Sequence, residues 1–186
     1  MGLKYAKAAP TVVAQAKSNP NCWAAALECW VAAQKPKTLF TTTLAKGLGQ
    51  ADFATHYKDH VKNGGLMKSG LTQIAWDMQM GFDVLLVPKT VFTGAYIHQK
   101  LAAKGYLWCA FGGNSMTSTS MGHVVVIYGI EDPYGKTCTI KHMDPWEPGN
   151  IDRPIDWFKE SKSMLVTWAE TEAGWATYMK KNWNLP

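Results

Sequence analysis

The stretch that most constrains the fold is residues 18–30, SNPNCWAAALECW. Pro20 fits the first turn of a helix but not its interior, and polar residues around it can cap the free N–H groups, so we expect a helix that begins at or just before Cys22. A proline soon after Gln34 ends it. Glu28 is the only charged residue between these ends, and both helix faces are apolar. The sequence therefore predicts a central helix that is covered on both sides.

A cysteine at the start of such a helix is a candidate nucleophile. The unpaired N–H groups and the positive end of the helix dipole favour the thiolate form of Cys22 over the thiol. The alternative is that Cys22 is a small apolar core residue, since free cysteines are among the most buried residue types. The choice depends on whether the rest of the chain supplies a base.

Length and composition favour one globular domain over residues 1–186. Of the 186 residues, 47% are hydrophobic and 18% are charged, which is ordinary for a folded domain. We expect a mainly helical lobe over about 1–81, a mainly β lobe over about 82–170 and a tail over 171–186. The net charge of +5 comes from scattered lysines without a basic run, so no nucleic-acid partner is predicted.

The chain lacks the sequence marks of export and of cofactor binding. It has neither an apolar run typical of a secretory signal nor one long enough to span a membrane. We therefore expect a protein that is made in soluble form in the cytoplasm, although delivery into another cell by a secretion system is compatible with this. Its four cysteines form no CxxC pair, so we predict no disulfide framework, no metal and no cofactor.

The pattern of apolar residues predicts helices first and strands later. Further helices are predicted over residues 38–48, 51–61, 71–80, 92–104 and 155–160. Strands are predicted over residues 83–87, 106–111, 123–130, 137–143 and 164–169, and a helix over the tail from 170. A polar glycine-flanked loop, 112–122, is of a kind that often borders active sites. The sequence thus predicts an α+β fold with an antiparallel sheet.

A cysteine nucleophile needs a base, and the chain has five histidines. His56 and His60 lie four residues apart in a predicted exposed helix, where a solvated face is favoured over a metal pair. His98 is also expected at the surface. His142 lies on a predicted strand and could line the cleft, on the same face as Asp144 if that strand continues regularly to its end.

His123 differs from the others because it opens the most apolar strand and follows the flexible loop directly. A base at the mouth of a buried strand meets solvent while its backbone is held rigidly. The next strand ends at Asp144. Adjacent antiparallel strands would bring the start of one beside the end of the other. Asp144 can then accept a hydrogen bond from one ring nitrogen of His123 while the other nitrogen faces Cys22.

Three motifs together resemble the papain-like cysteine proteases, and most closely their C39-like and AvrRpt2-like bacterial branches. They are NCWAAA at 21–26, GHVVVIYGIED at 122–132 and KHMDPWEPG at 141–149. The resemblance implies a papain-like two-lobe fold with a cleft between a helical lobe and a β-sheet lobe. It assigns Cys22 as nucleophile, His123 as general acid/base and Asp144 as orienting residue.

The same resemblance implies a glutamine shortly before the cysteine that helps to hold the oxyanion. Gln15 is the only glutamine upstream of Cys22, and it precedes the cysteine by one residue more than the family pattern suggests. The extra residue is either absorbed in the turn before the helix, or Gln15 is an ordinary exposed residue. The backbone N–H of Cys22 would be the second donor.

These residues predict hydrolysis of peptide bonds in a protein or peptide substrate. The open alternatives are a peptidoglycan amidase of the NlpC/P60 kind, a deamidase or transamidase with the same triad, and a non-enzymatic binding module on the same scaffold. Small size and a lysine-rich surface are similar to bacterial effector or toxin domains, which would imply a neutralising immunity protein in the producer. C39-like proteases often cut after paired glycines, which suggests a Gly-Gly substrate.

Overall fold

A computed structural model describes residues 2–16, 21–34, 49–62, 65–85, 87–111, 122–161, 163–170, 174–175 and 177. The helix predicted over 38–48, nearly all of the loop at 112–122 and most of the tail helix lie outside the described residues. So do the residues 17–20 that precede the nucleophile helix.

The described residues form an α+β fold of six helices and nine strands. The helices are α1 (Cys22–Gln34), α2 (Gln50–His56), α3 (Lys68–Asp77), α4 (Pro88–Val91), α5 (Gly94–Lys104) and α6 (Ile155–Lys159). The strands are β1 (Lys4–Ala6), β2 (Val61–Lys62), β3 (Gly65–Leu66), β4 (Met80–Leu85), β5 (Leu107–Phe111), β6 (His123–Glu131), β7 (Thr139–Asp144), β8 (Gly149–Pro154) and β9 (Met164–Ala169).

Seven of the strands form one antiparallel sheet, in which the order β4-β9-β5-β6-β7-β8 is extended by β1 on β6. Strands β2 and β3 form a separate hairpin. In the large sheet β6 and β7 are adjacent and antiparallel, with Val126 opposite Met143. The first residue of β6 therefore lies near the last residue of β7, as the sequence predicts.

The sheet is covered on both faces, and α1 covers one of them. Trp23, Leu27 and Trp30 of α1 are buried in a cluster that includes Val124 and Val126 of β6. The alternate β6 residues belong to a second cluster with α5 and α6. Burial on both faces explains why β6 reads as a continuous apolar run. The predicted central helix is confirmed, since nine of its residues are buried.

Two predicted helices have different bounds because strand pairing competes with helical periodicity. The helix predicted over 51–61 ends at His56, and residues 61–62 instead pair with 65–66. The helix predicted over 71–80 is Lys68–Asp77. Gln79 adopts a positive φ of 48°, and Met80 then pairs with Ala169 of β9. Strand pairing thus takes over where helical periodicity still continues.

The sequence does not predict strand β8, because Pro145 and the Pro-Gly pair at 148–149 indicate only a turn after Asp144. The turn is present, but the chain then pairs with β7 from Gly149, opposite Asp144, to Pro154, opposite Thr139. This strand contains glycine, asparagine, aspartate and proline, which are depleted in strands. It forms at the sheet edge, where proline is tolerated. The short strand β1, which pairs with β6, is likewise not among the predicted strands.

Candidate active site

Cys22 is the first residue of α1. The carbonyl oxygen of Asn21 accepts hydrogen bonds from the N–H groups of Ala24 and Ala25, at 3.0 and 3.1 Å, so the helix begins at the cysteine. Cys22 is 9% exposed, which is the highest value among the buried residues of this helix. Its backbone N–H belongs to the first turn, where N–H groups lack partners within the helix.

His123 and Asp144 are joined by a hydrogen bond of 2.8 Å between Nε2 and Oδ1. The same carboxylate oxygen accepts the backbone N–H groups of Trp146 at 2.8 Å and Glu147 at 3.3 Å. Burial raises the pKa of Asp144, but these hydrogen bonds and the charge of His123 outweigh it and lower the pKa below its ordinary value. The carboxylate is therefore ionised and fixed in orientation.

The Cys22 thiol lies against the same imidazole. Burial lowers the pKa of His123, but hydrogen bonds with Asp144 and Cys22 and their charges raise it to about 9. Since Nε2 faces Asp144, Nδ1 is the ring nitrogen left for the sulfur. The structure thus brings Cys22, His123 and Asp144 together, with an imidazole that is protonated at neutral pH beside the thiol. That arrangement can move a proton between the sulfur and a substrate nitrogen.

Aromatic side chains surround the imidazole on the side of α6. The ring of Phe111 meets the ring of His123 edge to face, with centroids 5.6 Å apart. Phe111 also contacts Trp157 and Phe158 of α6. Phe111 thus links the imidazole to an apolar cluster that includes α6.

His142 does not line the cleft, so that expectation is wrong. Strand β7 runs regularly to its end, which puts His142 and Asp144 on one face, with 3.9 Å between Nε2 and Oδ2. The His142 ring is fully buried and stacks on Trp157, and among the described residues neither of its nitrogens makes a hydrogen bond of good geometry. Burial lowers its pKa to about 4. It is a neutral core residue behind the carboxylate.

Gln15 lies beside the turn that follows Asp144. Its backbone N–H donates to the carbonyl oxygen of Pro145 at 3.0 Å. Its side-chain Oε1 is buried and has no hydrogen-bond partner among the described residues. Gln15 therefore approaches the end of the sheet that carries Asp144, from the chain segment that leads to Cys22.

The remaining histidines lie apart from this cluster. His56 is 4.0 Å from a carboxylate oxygen of Asp77, His60 bonds Ser69, and His98 bonds Tyr134. Among the described residues, no group of three or more histidine, cysteine or acidic side chains could hold a metal ion.

Cys29, two turns further along α1, differs from Cys22. It is 1% exposed, and burial together with the charge of Glu28 raises its pKa to about 12. Cys29 is therefore a core residue.

The sequence analysis missed the two backbone donors to Asp144. A signal for them exists, because an aspartate followed by proline commonly accepts N–H groups two and three residues later. It also missed the two hydrogen bonds between the side chain of Gln50, the first residue of α2, and the backbone of Ala14 and Ala16, for which no sequence pattern is a signal. Within the described residues no helix is long and apolar enough to cross a membrane.

Comparison with known proteins agrees with this fold. No curated protein sequence matches the chain. Two solved structures share its fold. One is the peptidase domain of Streptococcus ComA, a bifunctional ABC transporter of a quorum-sensing pathway, which is 12% identical with a TM-score of 0.51 over 86% of this chain and 98% of that one. The other is a double-glycine-motif protease from an AMS/PCAT transporter in complex with a leader peptide. It is 16% identical with a TM-score of 0.50 over 91% and 98% of the two chains.

The resemblance to papain-like cysteine proteases is therefore confirmed at the level of fold. The family model of the papain-like cysteine protease AvrRpt2 matches residues 7–163, a span that includes Cys22, His123 and Asp144. The chain belongs to this family and is a papain-like cysteine peptidase.

Proposed function

We propose that the chain hydrolyses peptide bonds through a triad of Cys22, His123 and Asp144. The observation that carries this proposal is the 2.8 Å bond between His123 and Asp144, with Cys22 on the other side of the same ring. An imidazole whose pKa is raised to about 9 remains protonated at neutral pH. It can therefore stabilise a thiolate at the start of α1.

In the first half of the reaction the Cys22 sulfur attacks the substrate carbonyl carbon, and a C–S bond forms. The carbonyl oxygen becomes an oxyanion, for which the backbone N–H of Cys22 and the side-chain amide of Gln15 are the proposed donors. The intermediate collapses when His123 gives its proton to the leaving nitrogen and the C–N bond breaks. An acyl group is then held on the sulfur as a thioester, and His123 is neutral.

In the second half water hydrolyses the thioester. Neutral His123 takes a proton from the water as its oxygen attacks the acyl carbon. The C–S bond breaks, the acid product leaves and the thiolate–imidazolium pair returns. Throughout the reaction the Asp144 carboxylate accepts a hydrogen bond from Nε2 of His123, so that Nδ1 faces the reacting atoms.

The buried and unpartnered Oε1 of Gln15 supports the oxyanion role of this residue. The NH₂ group at the other end of the same amide carries the two N–H donors that an oxyanion needs. The backbone bond from Gln15 to Pro145 keeps it next to the triad.

We propose further that the substrate is a peptide segment with paired glycines. The support is the fold likeness to the double-glycine-motif protease, which was solved with a leader peptide. The lysine-rich composition, with a net charge of +5, supports action as an effector or toxin on proteins of another cell.

The test is N-terminal profiling of a bacterial lysate treated with the protein or with Cys22→Ala. New N-termini that follow Gly-Gly and need Cys22 are expected. N-termini at other sequences would overturn the Gly-Gly preference alone. Release of stem peptides from muropeptides without new protein N-termini would favour an amidase, and conversion of side-chain amides to acids, seen by mass spectrometry, would favour a deamidase.

Thiol labelling supplies an independent readout. Iodoacetamide should modify Cys22 at least about tenfold faster than the buried Cys29, because only a thiolate reacts. Cys29→Ala is the matched control, since it removes the other cysteine of the same helix. Labelling of Cys22 no faster than that of Cys29 would contradict the ion pair.

A further inference from the structure

We propose that Gln50 is a positioning residue that holds the Gln15 amide in the oxyanion site, an inference that rests on the proposed function of Gln15. The side chain of Gln50 binds the backbone on both sides of Gln15. Its Nε2 donates to the carbonyl oxygen of Ala14 at 3.0 Å. Its Oε1 accepts the N–H of Ala16 at 2.9 Å. A primary amide in this two-point contact fixes the peptide planes before and after Gln15.

Gln50 is itself tied to the nucleophile helix. It is the first residue of α2, and its backbone N–H donates to Oε2 of Glu28 at 2.6 Å. Glu28 is the one charged residue of α1, two turns from Cys22. The position of Gln50 relative to α1 is thus set by a charge-assisted hydrogen bond, which is stronger than a neutral one.

Residues 14–16 are also held by a hydrogen bond to the turn that follows β7. The N–H of Gln15 donates to the carbonyl oxygen of Pro145, which follows Asp144. Residues 14–16 belong to no helix or strand, so contacts of this kind determine where the Gln15 side chain points. Gln50 links them to the helix of the nucleophile, and Pro145 links them to the turn that orients the base.

The chain contains the same contact a second time, at the far end of α1. Gln34 donates from Nε2 to the carbonyl oxygen of Lys104 at 3.1 Å and accepts the N–H of Tyr106 at 2.9 Å. The residue between them is Gly105, whose positive φ of 87° suits glycine. Gln34 therefore serves as a matched control, because Gln34→Ala deletes the same two hydrogen bonds away from the triad.

The experiment compares Gln50→Ala, Gln34→Ala, Gln15→Ala and Gln15→Ala/Gln50→Ala in the full chain, with a peptide that carries the cleavage site found by profiling. Loss of an oxyanion donor in Gln15→Ala should lower kcat about a hundredfold. Gln50→Ala should lower kcat about tenfold with KM nearly unchanged, because the lost contact acts in the transition state. The rate of Cys22 alkylation by iodoacetamide should not change in any of the four.

The double variant decides whether Gln50 acts through Gln15. If it does, Gln50→Ala should have no further effect once Gln15 is alanine, so the two losses do not add. Equal kcat values for Gln50→Ala and Gln34→Ala, or an undiminished loss from Gln50→Ala in the Gln15→Ala background, would overturn the inference alone. An unchanged kcat in Gln15→Ala would overturn the oxyanion role of Gln15 and the inference with it.

Discussion

Two histidines lie on neighbouring strands beside the same carboxylate, yet their surroundings drive their pKa values in opposite directions. His123 keeps part of its ring exposed and bonds Asp144, and its pKa is raised to about 9. His142 is fully buried and 3.9 Å from the other oxygen of Asp144, and its pKa is lowered to about 4. Burial acts on both rings in the same direction.

The pKa values of the two histidines therefore differ because their contacts differ, although both rings lie near Asp144. Oδ1 of Asp144 bonds His123 directly, whereas 3.9 Å is too long for a hydrogen bond between Oδ2 and the His142 ring. His123 also has Cys22 as a second partner. One short hydrogen bond and one thiol distinguish a candidate base from a core residue.

The largest effect on kcat is expected when the two histidine rings are replaced one at a time. His123→Ala should lower kcat for the profiled peptide roughly a thousandfold or more, since both the proton donor and the partner of the thiolate are lost. His142→Leu should keep kcat within about threefold, because an apolar side chain replaces a neutral ring that makes no hydrogen bond.

Thermal unfolding of both variants separates loss of chemistry from loss of fold. Comparable losses of kcat in two folded variants would show that the distinction between the rings is wrong.

The next largest effect on activity is expected when Asp144, the carboxylate between the two rings, is replaced. Asp144→Asn keeps the size of the side chain but removes the charge that orients His123 and favours its protonated form. We therefore expect kcat/KM to fall about tenfold to a hundredfold, which is less than in His123→Ala. The alkaline limit of activity should also move to lower pH, because the charge that raises the pKa of His123 is gone.

Asp152→Asn is the control for that variant. Asp152 is a carboxylate on the adjacent strand β8, bonded to Lys141 at 2.8 Å. Equal pH–rate profiles for the two variants would mean that Asp144 does not act through His123.

The sequence was enough to predict the elements that carry these residues, because each depends on a local pattern. A stretch between Pro20 and Gln34 with Glu28 as its only charged residue predicts a central helix, and the apolar run after His123 predicts a strand buried on both faces. The turn between β6 and β7 then determines which ends meet. The same local reasoning fails for β8, whose residues have low strand propensity and form a strand only because β7 is beside them.

The environment of each side chain was harder to predict than its position. The alternation of β7 indicates that His142 shares a face with Asp144, but a pattern does not tell whether that face meets solvent or the rings of α6. The contact of Gln50 with residues 14 and 16 joins segments 34 to 36 positions apart. No periodicity or motif reports such a contact.

The smallest expected effect, and the one that compares the two rings most directly, is the pH dependence of stability. The folded pKa of His123 is raised from 6.5 to about 9, so the folded state holds its proton longer than the unfolded state. Its contribution is complete below pH 6.5 and is lost as pH rises towards 9. The folded pKa of His142 is lowered from 6.5 to about 4, so its contribution is complete above pH 6.5 and is lost as pH falls towards 4.

Urea unfolding across this range should therefore give a maximum near neutral pH, with a change in the free energy of unfolding of order 1 kcal/mol on each side. His142→Leu should flatten the acidic side only, and His123→Ala the alkaline side only. Asp144, whose ordinary pKa is 3.8, faces both rings, and Arg153 also faces His142. The measurements therefore stop at about pH 4.5, so that the titration of carboxylates is kept separate. If the loss of stability at acidic pH were unchanged in His142→Leu, the buried ring would not be the group that titrates there.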